Sequence, residues 1–279
     1  MNKSDKFKIG IIGCGFVGSA VAAGFSLKAD VKIYDKYKKG YDSLGEVCKQ
    51  DILFLCLPNP MRKSDGMPEM SFIENALKDI WATTSDRKAI VIKSTVLPGT
   101  NRRFQEQYPQ FTFISNPEFL TARSARLDFI NASRIVLGGA SELALQIMTD
   151  LYRAVFTHTP IYVCSWEEAE MVKYMANCFF ALKISYLNEM YAACKNLGCD
   201  FDTVKKMWLA DGRIGNSHHE VPGHDSDFGY GGTCFPKDVA AFTGWARNNG
   251  LPIDTLEAAE IVNDRVREKK DWEIYNDTE

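Results

Sequence analysis

The sequence lacks most of the features that mark secreted, membrane or nucleic-acid-binding proteins. Its eight cysteines (Cys14, Cys48, Cys56, Cys164, Cys178, Cys194, Cys199 and Cys234) include no C-x-x-C or other paired spacing, which argues against a disulfide framework or a zinc site. Most lie inside apolar runs, as thiols do in a reducing cytoplasm. There is no basic run or stripe, and the formal net charge is −3, so nothing draws the chain generally to nucleic acid or an anionic membrane. No metal-ligand repeat, internal repeat or low-complexity segment is present. One uncharged stretch, residues 9–27, follows Lys3, Lys6 and Lys8 in the manner of a secretory leader. Asp5 dilutes that basic region, however, and Gly10, Gly13, Gly15 and Gly18 suit a turn better than a membrane-buried helix. The expectation is a soluble cytoplasmic protein with no membrane partner.

What is present is enough apolar material, 46% of 279 residues, for one large domain or two ordinary ones. Residues 8–12 read as a buried strand. Gly13-x-Gly15-x-x-Gly18 follows, then a helix over 19–27 and a second strand over 31–34 that ends at Asp35. This is the dinucleotide-binding arrangement: the first glycine makes the turn, the second admits a pyrophosphate, and the third lets helix and strand pack closely. The pyrophosphate would rest on the helix N-terminus. Asp35 is placed to accept from a ribose hydroxyl and to repel a 2′-phosphate, favouring NAD over NADP, with Lys36, Lys38 and Lys39 weighing the other way.

Further strands read over 51–57, 89–93, 111–114, 134–137 and 161–163, with helices over 67–81 and 141–156 between them. The first three end in polar or proline-bearing residues. The predicted fold is α/β: a Rossmann-like doubly wound parallel sheet over residues 1–164. From 165 to 279 the pattern becomes helical. Ser165 and Glu168 form a capping-box signature, and no Pro or Gly occurs between Trp166 and Leu197, which predicts one helix of about 48 Å at 1.5 Å per residue. Apolar on much of its circumference, it should be buried on several sides, including against a second copy of the chain. Lys173 and Asn177 share one face of it, and either find buried partners or reach solvent and a loop. Shorter helices read over 202–210, 238–248 and 255–270, with a polar loop over 211–232. Its histidines, His218, His219 and His224, are expected to be solvated. The charged tail from Arg265 is expected to fray.

Within residues 229–238, Gly-Tyr-Gly-Gly-Thr-Cys-Phe-Pro-Lys-Asp, glycines on one side and a proline on the other hold Cys234. Either its thiol is presented at a site near cationic groups that raise its thiolate content, or it is a small buried hydrophobe after a glycine turn.

These pieces together resemble the UDP-glucose/GDP-mannose dehydrogenase family. The matching residues are Gly13 to Gly18, Lys93-Ser94-Thr95-Val96 with Pro98-Gly99-Thr100, Asn116-Pro117-Glu118-Phe119-Leu120, Ala169-Glu170 with Lys173 and Asn177, Asn188-Glu189, Arg213-Ile214-Gly215, and 229–238. The resemblance implies oxidation of a nucleotide sugar, such as UDP-glucose, at C6 to the acid with two NAD. Cys234 would carry a thiohemiacetal and then a thioester. Lys173 and Asn177 would hold the C6 oxygen, Asp238 with Thr95 would handle water, and Glu118 would act as base in hydrolysis. It further implies that Gly13, Cys14, Gly15, Phe16, Val17, Gly18, Asp35, Leu57, Asn59, Ser94 and Thr95 line the cofactor. Glu118, Phe119, Leu120, Lys173, Asn177, Arg213, Gly231 and Gly232 would meet the substrate, Arg213 across a homodimer interface formed through the long helix.

Three departures accompany the resemblance. Ala122 stands where the family has a second glutamate, only sixteen positions separate Asp35 from Asp51, and the chain as read is a short form without the C-terminal nucleotide-sugar-binding domain. Two other readings stay open: a beta-hydroxyacid dehydrogenase making one hydride transfer, and a binding protein that has lost turnover.

Overall fold

The computed structural model describes residues 6–121 and 123–272. They divide into two compact units, one drawn from Met1–Asn59 and Glu69–Lys173 and the other from Pro60–Pro68 and Tyr174–Glu279.

The first unit contains, in order, β1 (Phe7–Ile12), α1 (Phe16–Phe25), β2 (Ala29–Tyr34), α2 (Leu44–Val47), β3 (Ile52–Leu55), α3 (Ser71–Thr83), β4 (Ala89–Ile92), α4 (Thr100–Gln107), β5 (Thr112–Ser115), α5 (Ala125–Ile130), β6 (Ile135–Gly138), α6 (Glu142–Arg153) and β7 (Ile161–Cys164). The strands form one sheet in the order β2-β1-β3-β4-β5-β6-β7. Their apolar runs are continuous because both faces are covered. Ile9, Ile11, Ile52, Phe54, Val91 and Ile114 pack on one face with Phe25, Phe129 and Tyr152. Ile12, Leu53, Leu55, Ile90, Ile92 and Phe113 pack on the other with Ile73, Leu77 and Phe104.

The sheet is Rossmann-like, and parallel except that β5 and β6 meet antiparallel at Ser115 and Gly138. In the connection between them, α5 has six residues and packs on α1, where a Cβ on Gly24 would lie 2.2 Å from the Phe129 ring. The sequence pattern shows no sign of α2, α4 or α5, each too short for a clear helical period.

Helix starts also differ from expectation. α1 begins at Phe16, directly off Gly15. α3 begins at Ser71, because residues before it are held by a bridge between Met61 and Pro68.

α7 (Trp166–Leu197) is a single 32-residue helix. Its start is closed by the expected box: Ser165 Oγ accepts from Glu168 N at 3.3 Å and Glu168 Oε2 accepts from Ser165 N at 2.7 Å. The second unit holds most of α7 together with α8 (Phe201–Leu209), α9 (Phe235–Asn248) and α10 (Asp254–Val266). Leu187, Phe201 and Val221 form a small core with Tyr191, Trp208 and Phe228. Ser185 Oγ donates to Ala259 O at 2.8 Å, joining α7 to α10. α9 starts at Phe235, ahead of the expected Asp238, since a proline is well accommodated in a first turn. α7 is less enclosed than its composition implies: Met175, Phe179, Tyr186 and Met190 are exposed along it. Of the charged tail, residues 273–279 lie outside the described residues, and near its start Arg267 is buried, only 5% exposed. Among the described residues no helix is long and apolar enough to cross a membrane.

Candidate active site

At the end of β1, Gly13 has φ +92°, and a Cβ there would lie 2.6 Å from Cys56 O. Gly18 is just as constrained, its Cβ position being 2.0 Å from Gly13 O. Gly15 differs. Its φ is −77° and nothing lies within 4 Å of where its Cβ would be, so the protein's own packing does not require glycine there. What the missing side chain leaves open is the approach to the N-terminus of α1, whose first N–H groups have no side-chain cap. That is the fit a dinucleotide pyrophosphate needs.

Asp35 closes the loop from β2. Its Oδ2 accepts from Cys14 N at 2.8 Å, and Oδ1 accepts from Tyr37 N and Lys38 N at 3.0 and 3.1 Å. Lys38 Nζ donates to Cys14 O at 2.7 Å, so this lysine serves the loop itself. Phe16 and Val17 form the first turn of α1. Beyond β3 and β4, Ser94 Oγ donates to Leu57 O at 2.6 Å and Asn59 Nδ2 donates to Thr95 O. The sequence-predicted cofactor residues thus meet at the carboxyl ends of β1, β3 and β4, beside the point where the strand order reverses.

The same sheet edge carries Glu118. Lys173 Nζ donates to Glu118 Oε1 at 3.1 Å, with both side chains buried, and Leu120 N donates to Oε2 at 2.5 Å. Lys173 also lies 5.6 Å from the centre of the Phe119 ring. A cleft of about 320 Å³ opens here, lined by Lys93, Glu118, Phe119, Leu120, Arg134 and Tyr152 among others. Lys93 is buried and donates to Asn116 Oδ1 at 3.1 Å, an acceptor shared with the Tyr152 hydroxyl. Burial pushes the Lys93 ammonium down to about 8. Ala122 lies outside the described residues.

In the second unit, Asn177 Nδ2 donates to Asp238 Oδ2 at 2.5 Å. Lys237 Nζ donates to the other carboxylate oxygen of Asp238. Asp238 stands in the first turn of α9, and Cys234 is the residue that caps that helix. The thiol is half-buried, unlike the enclosed Cys14, Cys48, Cys56 and Cys178. Burial holds the Cys178 thiol far above its usual range and pushes Cys56 up to about 12. Cys234 is therefore not a core thiol. Lys237, the cation nearest to the thiol in sequence, is engaged by the carboxylate that follows it.

The rest of the second-unit residues divide. Arg213 is exposed on its loop and bonded to Asp211 at 2.5 Å. Gly232 has φ +74° and donates its N–H to Asp271 Oδ1 at 3.0 Å. Gly231 is covered by the Arg267 side chain. His219, with a side chain 16% exposed beside Glu220, departs from the solvated reading, whereas His218 is exposed as expected, with one ring face stacked on Phe180 at 3.9 Å. Partial desolvation, with Lys183 and His219 nearby, lowers the His218 pKa. His224 is exposed as expected. Among the described residues no cluster of His, Cys, Asp or Glu could hold a metal ion.

Comparison with known proteins settles the family. The NAD binding domain of the UDP-glucose/GDP-mannose dehydrogenase family matches residues 32–156, and its central domain matches 167–265. The solved structure of a UDP-glucose dehydrogenase from the hyperthermophilic archaeon Pyrobaculum islandicum is similar with a TM-score of 0.84 and 30% identity, over 95% of this chain and 70% of that one. The chain belongs to the UDP-glucose/GDP-mannose dehydrogenase family. Curated relatives include UDP-glucose 6-dehydrogenase of Rhizobium meliloti (strain 1021), 34% identical over 78% of this chain and 51% of that protein. TuaD, a UDP-glucose 6-dehydrogenase of Bacillus subtilis (strain 168), is 34% identical over 78% of this chain and 47% of its own length. The chain spans about half the length of these relatives.

Three residues that the sequence reading gives no role take part in these sites. Lys93 is tied to Asn116 and Tyr152. Glu170 accepts from Gly99 N at 2.6 Å and Asn101 N at 2.9 Å, holding the start of α4. Arg267 packs on the cysteine loop. An ionisable residue in an apolar run was a readable signal for the first two; nothing local marks the third.

Proposed function

We propose that this protein oxidises the C6 alcohol of a nucleotide sugar, UDP-glucose or a related UDP-hexose, to the carboxylate, with NAD as acceptor and Cys234 as covalent nucleophile. The observation that carries the reading is the half-buried thiol at the start of α9, in a chain whose first unit has a dinucleotide loop with an unblocked Gly15. Family membership favours it over a beta-hydroxyacid dehydrogenase, whose chemistry has no use for such a thiol.

Bound at Gly13 to Gly18, Asp35, Leu57, Asn59, Ser94 and Thr95, two NAD in turn would each take one hydride. The protein's residues supply the rest. Lys173 and Asn177 hold the C6 oxygen, and the ammonium stabilises the charge that develops as its proton leaves. The Cys234 thiolate adds to the C6 aldehyde to form a C–S bond, giving a thiohemiacetal. Loss of a second hydride leaves a thioester, and water cleaves it, returning the thiol and releasing the acid. Asp238, held by Asn177 and Lys237, and Thr95 orient that water, and Glu118 takes its proton. Phe119, Leu120, Gly231 and Gly232 shape the sugar site. Arg213, exposed and paired with its neighbour Asp211, reaches the diphosphate.

A second copy of the chain is the partner proposed for α7. Met175, Phe179, Tyr186 and Met190 recur at spacings of four, seven and four along an unbroken 32-residue helix, all exposed. That is the pattern of a helix face awaiting another helix. Sedimentation of the purified chain tests it, with a dimer expected that Phe179→Glu dissociates.

The functional test is to incubate the purified protein with NAD and a panel of UDP- and GDP-sugars and to identify products. A uronic acid accompanied by NADH supports the reading. NADH formed only with a hydroxyacid, or cofactor binding without reduction, would replace it.

A further inference from the structure

The loop that delivers Cys234 is built against one buried arginine. Arg267 follows α10 and its side chain is 2% exposed. Its Nη2 meets Asp225 Oδ2 at 2.7 Å and Asp271 Oδ2 at 3.3 Å. Its Nε donates to Lys269 O at 2.9 Å and lies 4.0 Å from Asp227 Oδ2, and its Nη1 donates to Phe228 O at 3.2 Å. Each guanidinium nitrogen is thereby engaged, leaving the planar face.

Gly231 lies against that face. A Cβ on it would be 2.1 Å from Nη2, 2.3 Å from Cζ and 2.6 Å from Nε. A clash with the tip of a flexible side chain is ordinarily relieved by rotation, but this one is held from all sides. On either side of Gly231 the peptide groups are also taken. Gly229 N donates to Asn188 Oδ1 at 3.2 Å, Tyr230 N donates to Asn263 Oδ1 at 2.7 Å, and Asn263 Nδ2 returns a bond to Tyr230 O at 3.0 Å. Gly232 N donates to both oxygens of Asp271, which also pairs with Arg267.

We propose that Arg267 is a positioning residue for Cys234: its guanidinium, packed on Gly231 and braced by three aspartates, fixes the path of residues 228–232 and so the place of the thiol. Glycine at 231 is then required by the arginine behind it and not only by a ligand in front. The proposal rests on the reading of Cys234 as nucleophile, because a misplaced nucleophile costs rate. Asp225, Asp227 and Asp271 are the acids that face Arg267, and losing the cation leaves them to repel one another.

The test uses the full chain carrying Arg267→Lys, Arg267→Met or Gly231→Ala. Two readouts do not depend on turnover: amide hydrogen exchange over residues 229–232, and the pH profile of iodoacetamide alkylation at Cys234, mapped by peptide mass spectrometry. In folded Arg267→Met, exchange in the loop is expected to rise at least about tenfold with α1 unchanged, and the Cys234 profile to move. kcat for the nucleotide sugar should fall about tenfold to a hundredfold with KM altered far less. Lysine should restore part of each. If Arg267→Met does not fold, Gly231→Ala is read in its place, with the same signature expected. Parental loop exchange and a parental Cys234 profile in either folded variant would overturn the proposal. Should the parent chain itself oxidise no sugar, the functional reading falls, while exchange and alkylation still decide the role of Arg267.

Discussion

The Asn177 amide donates a 2.5 Å hydrogen bond to the Asp238 carboxylate across 61 positions of sequence, and the two side chains are 6% and 1% exposed. Such a bond joins the middle of α7 to the first turn of α9, four residues after Cys234. Lys237 completes the arrangement on the other oxygen. A buried carboxylate tolerates its desolvation only while both partners remain.

Asp238→Ala should therefore destabilise the protein by about 3–5 kcal/mol, because it leaves a buried lysine without its counter-charge. Asp238→Asn, which keeps the shape and one acceptor, should cost less. Both should lower acid production by about a hundredfold or more if the carboxylate handles water. Thermal unfolding and steady-state rates on the same preparations check this. Full activity in a folded Asp238→Asn would remove the residue from the chemistry.

Glu118 and Lys173 form a second buried pair at 3.1 Å. Removing either alone strands a charge, whereas Glu118→Gln with Lys173→Met removes both. The double variant should be more stable than the sum of the single losses, with a coupling of about 1–3 kcal/mol in a denaturant-based cycle. Independent, additive losses would mean that the pair is not formed in solution.

The glycines of the cofactor loop should separate by cause. Gly13→Ala and Gly18→Ala meet backbone at 2.6 and 2.0 Å and should lower the melting temperature. Gly15→Ala meets nothing within 4 Å, so it should melt as the parent does while NAD affinity falls at least about tenfold, since the pyrophosphate must approach there. Parental NAD affinity in Gly15→Ala, read by calorimetry, would place the cofactor elsewhere.

Lys93 makes a prediction about alkali. Burial lowers its pKa from 10.5 to about 8. Below pH 8 it is charged in both folded and unfolded chains, and the cost of burying that charge is present in full. Between pH 8 and 10.5 the unfolded chain binds more protons, so this group's contribution to stability rises with pH, approaching about 1.4 kcal/mol per pH unit. Lys93→Met removes the term. Relative to the parent, the variant should lose stability as pH rises through this window, and parallel pH profiles would show that Lys93 titrates normally.

Much of the first unit was legible in the sequence because its constraints are local. Gly13 and Gly18 are dictated by a positive φ and by backbone contact, and Ile52 to Leu55 read as one apolar run because alternate residues face different helix layers. The antiparallel direction of β6 was not legible, since an apolar run such as residues 135–138 carries no mark of strand direction. For the site, Lys173 and Asn177 stood out as polar residues in an apolar helix. Their partners Glu118 and Asp238 lie 55 and 61 positions away, beyond any periodicity. Family resemblance, not spacing, suggested that all four belong together. Arg267 was hidden for the opposite reason: it sits in a charged stretch that reads as solvated, and only the fold gathers Asp225, Asp227 and Asp271 around it.

The proposed role of Cys234, covalent nucleophile of a four-electron oxidation, is decided by counting NADH per sugar acid, in parent and Cys234→Ser, with the substrate that the panel identifies. Two NADH per acid are expected for the parent, and for the variant aldehyde with at most one NADH and almost no acid, because a hydroxyl at its normal pKa is a poor nucleophile beside a thiolate. Acid formed by Cys234→Ser at the parental rate, with two NADH for each, would contradict it.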